Sequence, residues 1–174
     1  MNITEFKSKL GKGGARPNQF RVLLAFPTLA AAGVKGDYSV LVSGAAIPAS
    51  TVNPAIVQYR GREVKLAGER IFDPWTITII NDTKQSLRIP FEKWMEIMND
   101  KETNGAIALT PADYQVDLTV EHLDRNDEDA LPGGTYVLHD AFPINMSEIA
   151  LQYAQNDVIE EFTVTFQYQH YSNT

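Results

Sequence analysis

Cysteine is absent from the 174 residues, which excludes disulfides and thiolate metal sites and fits folding in a reducing cytosol. Long apolar runs are also missing: none approaches the ~18–20 residues that a membrane-spanning helix needs. The opening MNITEFKSKLGKGG has no apolar h-region, so no cleaved secretory signal is expected. Positive charge is scarce. Fifteen Lys and Arg stand against 22 Asp and Glu, a formal charge of −7. Wrapping nucleic acid takes several cations to displace counterions from phosphate, so that class is excluded. A surface past which nucleic acid merely moves is not.

Catalytic patterns are missing as well. His122, His139 and His170 stand alone, without H-E-x-x-H or comparable ligand spacing. Ser43-Gly44 has no glycine two residues before the serine and forms no nucleophile elbow. Gly11-Lys12-Gly13-Gly14 lacks the spacing of a phosphate loop. Asp124, Asn126 and Glu128 begin like a calcium loop, but Asp129 stands where glycine is needed and Thr135 where glutamate is needed. The expectation is a non-enzyme without cofactor or metal.

What is present is strand alternation. Phe20, Val22, Leu24 and Phe26 share one face, and Tyr38, Val40 and Val42 read as a second short strand. Residues 55–70 read as a hairpin around Arg60-Gly61-Arg62, with Gly61 the natural turn residue. Pro74 precedes a β-branched strand at 75–80. Tyr114, Val116, Leu118 and Val120 oppose Gln115, Asp117, Thr119 and Glu121. Residues 123–134 read as an acidic loop closed by Pro132-Gly133-Gly134, followed by a strand at about 135–142. Phe162, Val164, Phe166 and Tyr168 oppose Glu161, Thr163, Thr165 and Gln167 in the last and clearest strand. One stretch changes period: Leu87, Phe91, Trp94, Met95 and Met98 form the apolar stripe of an amphipathic helix at about 87–99, with Pro90 in its first turn. The expected fold is mainly β: two packed antiparallel sheets, sandwich- or barrel-like, with one flanking helix. The expected organisation is a flexible arm at 1–14, a single β domain at 15–171, and a tail at 172–174.

Charge is uneven along the chain. Residues 1–16 hold Lys7, Lys9, Lys12 and Arg16 against Glu5, whereas residues 121–129 hold Glu121, Asp124, Asp127, Glu128 and Asp129 against Arg125. Two solvated surface segments are one reading of this asymmetry, and a docking pair between neighbouring copies is the other.

Several phrases occur in a characteristic order. Ala15-Arg16-Pro17-Asn18 leads into the first strand and Ala45-Ala46-Ile47-Pro48-Ala49 precedes the hairpin. Tyr59-Arg60-Gly61-Arg62, Ala67-Gly68-Glu69-Arg70-Ile71-Phe72, Trp75-Thr76 and Asn81-Asp82 follow. Phe142-Pro143 and Phe162-Thr163-Val164-Thr165 close the series. Over about residues 15–170 this string resembles the tail tube protein family of contractile-tailed phages.

The resemblance implies a fold shared with type VI secretion tube proteins. It implies homo-hexameric rings, whose inner strands join into one barrel, stacked into a tube inside a contractile sheath. The implied partners are sheath, tape-measure, baseplate and terminator proteins, with DNA passing through unbound and no membrane involved. The implied location is the virion tail, assembled in the host cytoplasm. The alternative is the tube of a bacteriocin-like or secretion-type injection system that passes protein. With four strands from each of six subunits, ~4.8 Å strand spacing and ~40° tilt give a backbone diameter of about 48 Å. Side chains leave roughly 36 Å, enough for a duplex on the order of 20 Å across. Expected subunit or ring contacts are Lys7, Lys9, Lys12, Arg16, Arg60, Gly61, Arg62 and Glu63. Expected lumen residues are Asp117, Thr119, Glu121, Thr163, Thr165 and Gln167.

Overall fold

A computed structural model describes residues 2–10, 14–31, 38–125, 129–154 and 156–174. Nine strands and two helices follow in chain order: α1 (Ile3–Lys9), β1 (Phe20–Leu23), β2 (Val42–Ala45), β3 (Ser50–Tyr59), β4 (Arg62–Phe72), β5 (Trp75–Ile80), α2 (Arg88–Met98), β6 (Val116–Leu123), β7 (Ala130–Met146), β8 (Glu161–Gln167) and β9 (His170–Asn173). All strand pairings are antiparallel.

β7 organises the body. Through Ala141 it pairs with β6, which continues to β1, and residues 136–139 also pair with β9. From Phe142 to Met146 it pairs instead with β8, which continues to β5 and β2. The seven-stranded sheet thus has two wings that share β7 and bend around one core. β3 and β4 stand outside it as a separate two-stranded sheet. No barrel closes among the described residues.

The alternation seen in the sequence decides what is buried. Val22, Leu118, Val120, Leu138 and Ala141 from the first wing meet Trp75, Ile77, Ile79, Phe162, Val164 and Phe166 from the second. α2 lies over the second wing. The Phe91 and Trp94 rings approach Phe166 with centroids 5.8 and 6.1 Å apart, and Phe26 covers both. The Trp94 indole donates to the Tyr114 carbonyl at 2.7 Å, which satisfies its one polar atom. Pro90 sits in the first turn, where its missing N–H costs nothing.

Three local expectations change. Residues 39–41 form a 3-10 turn, and the strand starts only at Val42, because Val40 points to solvent while Val42 is buried. The acidic stretch is not a loop up to residue 134: β7 begins at Ala130 and runs through Pro132-Gly133-Gly134. The ladder absorbs them by register shifts, with Gly133 at φ 71° and Gly134 too close to the Leu131 carbonyl to carry a Cβ. A second helix, α1, occupies much of the expected arm; Asn2 caps it, and none of its residues is buried.

Candidate assembly surfaces

The β3–β4 hairpin is the largest feature without a body beneath it. Arg60 (φ 48°) and Gly61 (φ 81°) form its two-residue turn, both in the left-handed region that a twisted two-residue hairpin requires. Farther down, three steps on β4 oppose two on β3 between the Val52–Arg70 and Pro54–Ala67 pairs, a β-bulge. The Asn53 carbonyl there approaches Gly68 so closely that no Cβ fits. Register places Ala55, Val57, Tyr59, Arg62, Val64 and Leu66 on one face and Ile56, Gln58, Glu63 and Lys65 on the other.

Both faces are open, and every residue from Thr51 to Ile71 is exposed. Only the base is anchored, where the Phe72 ring meets Tyr168 and Tyr171 at 6.0 and 5.6 Å. A lone two-stranded hairpin is marginal in water. Covering an apolar side chain such as Val57, Val64 or Leu66 stabilises by roughly 1.5–3 kcal/mol, so the free energy available on association is large.

The second wing has two open edges. β2 ends the sheet on one side, and on the other no strand among the described residues pairs with the outer side of Phe142–Met146. The outward face between these edges carries Thr76, Thr78, Thr163, Thr165 and Gln167, with the Thr76 and Thr165 hydroxyls 2.9 Å apart. No Lys or Arg occurs in the strands of this wing, and Glu161 is their single charged residue.

The first wing differs. Arg21 Nη2 meets Glu121 Oε2 at 2.7 Å, and His139 Nδ1 donates to Asp117 Oδ2 at 3.1 Å. His139 Nε2 lies 2.9 Å from Ser172 Oγ, and its ring stacks on His170 at 4.6 Å. Ser172 is exposed, so this row acts as a polar clasp across β6, β7 and β9. Sequence reading left these histidines isolated because their partners are distant in the chain.

The six expected lumen residues therefore divide. Asp117, Thr119 and Glu121 lie on the first wing and Thr163, Thr165 and Gln167 on the second, on faces that point away from the shared core. The expected contact residues divide too. Arg60, Gly61, Arg62 and Glu63 cluster at the hairpin tip, with Arg60 over the Tyr59 ring and Glu63 accepting from Gln58. Lys7 and Lys9 sit in the last turn of α1, where they complement the helix dipole. His122 Nε2 donates to the Arg16 carbonyl at 2.9 Å. Lys12, Asn126, Asp127 and Glu128 lie outside the described residues. The arm and the acidic segment do meet within one chain: Leu10, Gly14 and Ala15 line a cleft with Asp124, Arg125 and Asp129.

An exposed amphipathic hairpin and two open edges on a wing without Lys or Arg are the marks of a structural protein. The chain belongs to the phage tail tube protein family, whose model matches residues 15–174. It is 30% identical to the tail tube protein of Serratia phage KSP90 over 169 residues, 95% of this chain and 93% of that one. It is 27% identical to tail tube protein gp19 of Enterobacteria phage T4 over 151 residues, 87% and 86% of the two chains. Two solved structures share the fold, each at a TM-score of 0.62. One, in the anti-feeding prophage baseplate, is 15% identical and covers 92% of this chain and 95% of its own. The other, in a PVC sheath/tube terminator, is 13% identical and covers 90% and 93%. Tail tube proteins are components of the virion, and the family is structural. No helix among the described residues is long and apolar enough to cross a membrane.

Proposed function

We propose that six copies close into a ring through the open edges of the second wing, and that rings stack into a hollow conduit for DNA ejection inside a contractile sheath. Four strands from each copy (β2, β5, β8 and the end of β7) supply the barrel, the number for which the passage admits a duplex with surrounding water. The hairpin carries this reading: a sheet left open on both faces is an aggregation hazard in a monomer and an interface in an assembly.

Of the two candidate lumen faces, the second wing's is favoured, because it lies between the edges that close the ring. Its hydroxyl and amide side chains present no cation to phosphate. A duplex carries one charge per ~1.7 Å, and each fixed cation would displace counterions and hold it. Six copies per ring would repeat every such residue. Tape-measure protein filling the lumen during assembly, with baseplate and terminator proteins at the ends, completes the reading.

Negative-stain electron microscopy of the purified protein tests it. Rings or tubes are expected at high concentration, or when baseplate nuclei are supplied. Protein that stays monomeric at millimolar concentration with those nuclei present overturns the proposal.

A further inference from the structure

Of the asparagines in the chain, Asn104 alone is followed by glycine. The pair stands in the turn that follows α2, where residues 101–107 are all exposed. Asn104 is at φ 54°, in the left-handed region that asparagine tolerates better than most side chains. An asparagine Cγ lies within reach of the next backbone nitrogen, and attack by that nitrogen closes a five-membered imide. A Cβ on the following residue crowds the attack, and Gly105 has none. The Gly105 nitrogen is also lightly held. It donates to the Thr103 hydroxyl at 3.3 Å, beyond the usual range of about 2.7–3.2 Å.

The rest of the turn opposes the reaction. Closing the ring demands an extended ψ at Asn104, which left-handed backbone does not have, so the turn must open first. Asp100 holds it shut. Its Oδ1 accepts the Glu102 and Thr103 N–H groups, each at 2.8 Å, and the Thr103 hydroxyl at 3.0 Å. Asn104 N also donates to the Asp100 carbonyl at 3.0 Å, and Asp100 N to the Gly105 carbonyl at 2.8 Å. The Thr103 hydroxyl thus links the Gly105 nitrogen to the Asp100 carboxylate, a chain that could instead draw off the amide proton. Basicity decides between these roles. Hydrogen bonds from Thr103 and Glu102 hold the carboxyl below its ordinary 3.8, too weak a base for a backbone amide. Asp100 is a clamp.

We propose that Asn104 is a site of spontaneous covalent modification, converted to isoaspartate by its own backbone at a rate set by the Asp100 clamp. The Gly105 nitrogen gives its proton to solvent and bonds to Asn104 Cγ. The Cγ–Nδ2 bond breaks, and ammonia leaves with a proton taken from water. Water then opens the imide. Cleavage at the Asn104 main-chain carbonyl leaves the chain running through Cγ, which is isoaspartate; cleavage at Cγ leaves aspartate. Either product adds a negative charge beside Asp100 and Glu102, with Lys101 between them. Isoaspartate also lengthens the main chain just before Ile107 and Ala108, whose N–H groups return to the Ile97 carbonyl. The end of α2 therefore loosens as a copy ages. The inference does not depend on the tube reading.

Purified full-length protein held at mildly alkaline pH and sampled over weeks tests it. Peptide mass spectrometry should show acid replacing amide at residue 104 ahead of every other asparagine, and protein isoaspartyl methyltransferase should label that peptide. Gly105→Ala, whose Cβ meets only the Thr103 hydroxyl at 3.3 Å, should fold and lower the rate about tenfold or more. Asp100→Ala should raise the rate about threefold or more by freeing the turn to open, and Thr103→Ala gives the same direction if Asp100→Ala folds poorly. Residue 104 reacting no faster than Asn81 or Asn99, or an unchanged rate in Gly105→Ala, overturns the modification site. A rate unchanged or lowered by both Asp100→Ala and Thr103→Ala overturns the clamp.

Discussion

Gly61 and Arg60 share a turn that only left-handed backbone can make, and they differ in how well they suit it. Glycine adopts φ 81° without cost, whereas a β-branched residue there is strained. Nothing lies within 4 Å of the position where a Gly61 side chain would begin, so Gly61→Val acts through the turn and not through a clash. The variant should keep the circular dichroism of the folded body, which the hairpin meets only at its base, yet polymerise poorly. Normal tubes from Gly61→Val would remove the hairpin tip from the interface. This turn was legible in the sequence because its evidence is local: a glycine between two alternating runs. The Gly68 bulge was not, since its meaning depends on the Asn53 carbonyl across the strand. The Arg21–Glu121 and His139–Asp117 pairs were hidden for the same reason; the first joins residues 100 positions apart.

Among the elements, α2 shows what periodicity conveys. The expected span of 87–99 and the observed Arg88–Met98 agree, but the buried face centres on Pro90, Phe91, Trp94 and Ile97, with Met95 only half-buried. Three carboxylates fix the connections around this helix. Ser86 donates its hydroxyl and backbone N–H to Asp82, Thr103 and Glu102 donate backbone N–H groups to Asp100, and Thr110 does so to Asp113. These hydrogen bonds hold all three carboxyls below their ordinary 3.8. A carboxyl depressed in the folded state contributes its full stability above the unfolded value and loses it as pH falls through the folded one. Stability should therefore decline from about pH 4 downward and level off only below the depressed values. Urea midpoints measured from about pH 5 to about pH 2 should show this fall, flattened in part by Asp113→Asn; an unchanged slope would remove Asp113 from the cause. Element ends were less legible than element cores. Pro132-Gly133-Gly134 reads as a loop in any local window, and only pairing with β6 makes it strand. β9, whose His170 and Ser172 engage His139, gave no alternating signal of its own.

At the scale of the whole molecule, the two wings present different chemistry: the first is charged and clasped, the second hydroxyl-rich with Glu161 as its one charge. If the second wing lines the passage, Thr163→Lys should leave tube formation intact and slow DNA release from reassembled particles, most at low salt. The same substitution at Thr119, on the first wing, should leave release unaffected. Ejection at the normal rate from Thr163→Lys particles would assign the lumen elsewhere. The class of fold and the kinship with tube proteins were legible because alternation and a string of turn phrases run the length of the chain. Which polar face belongs to which wing was not, because alternation gives two sides to every strand and names neither.

β7 is a single stave common to both wings, so there is no seam along which half of the subunit could melt and leave the other half standing. Under the proposed ring closure, a copy whose Phe142–Met146 segment has not paired with β8 presents neither of the two edges to a neighbour. Pairing of β7 with β8 is in this way a condition of entry to the proposed ring, set within each copy before any neighbour is met.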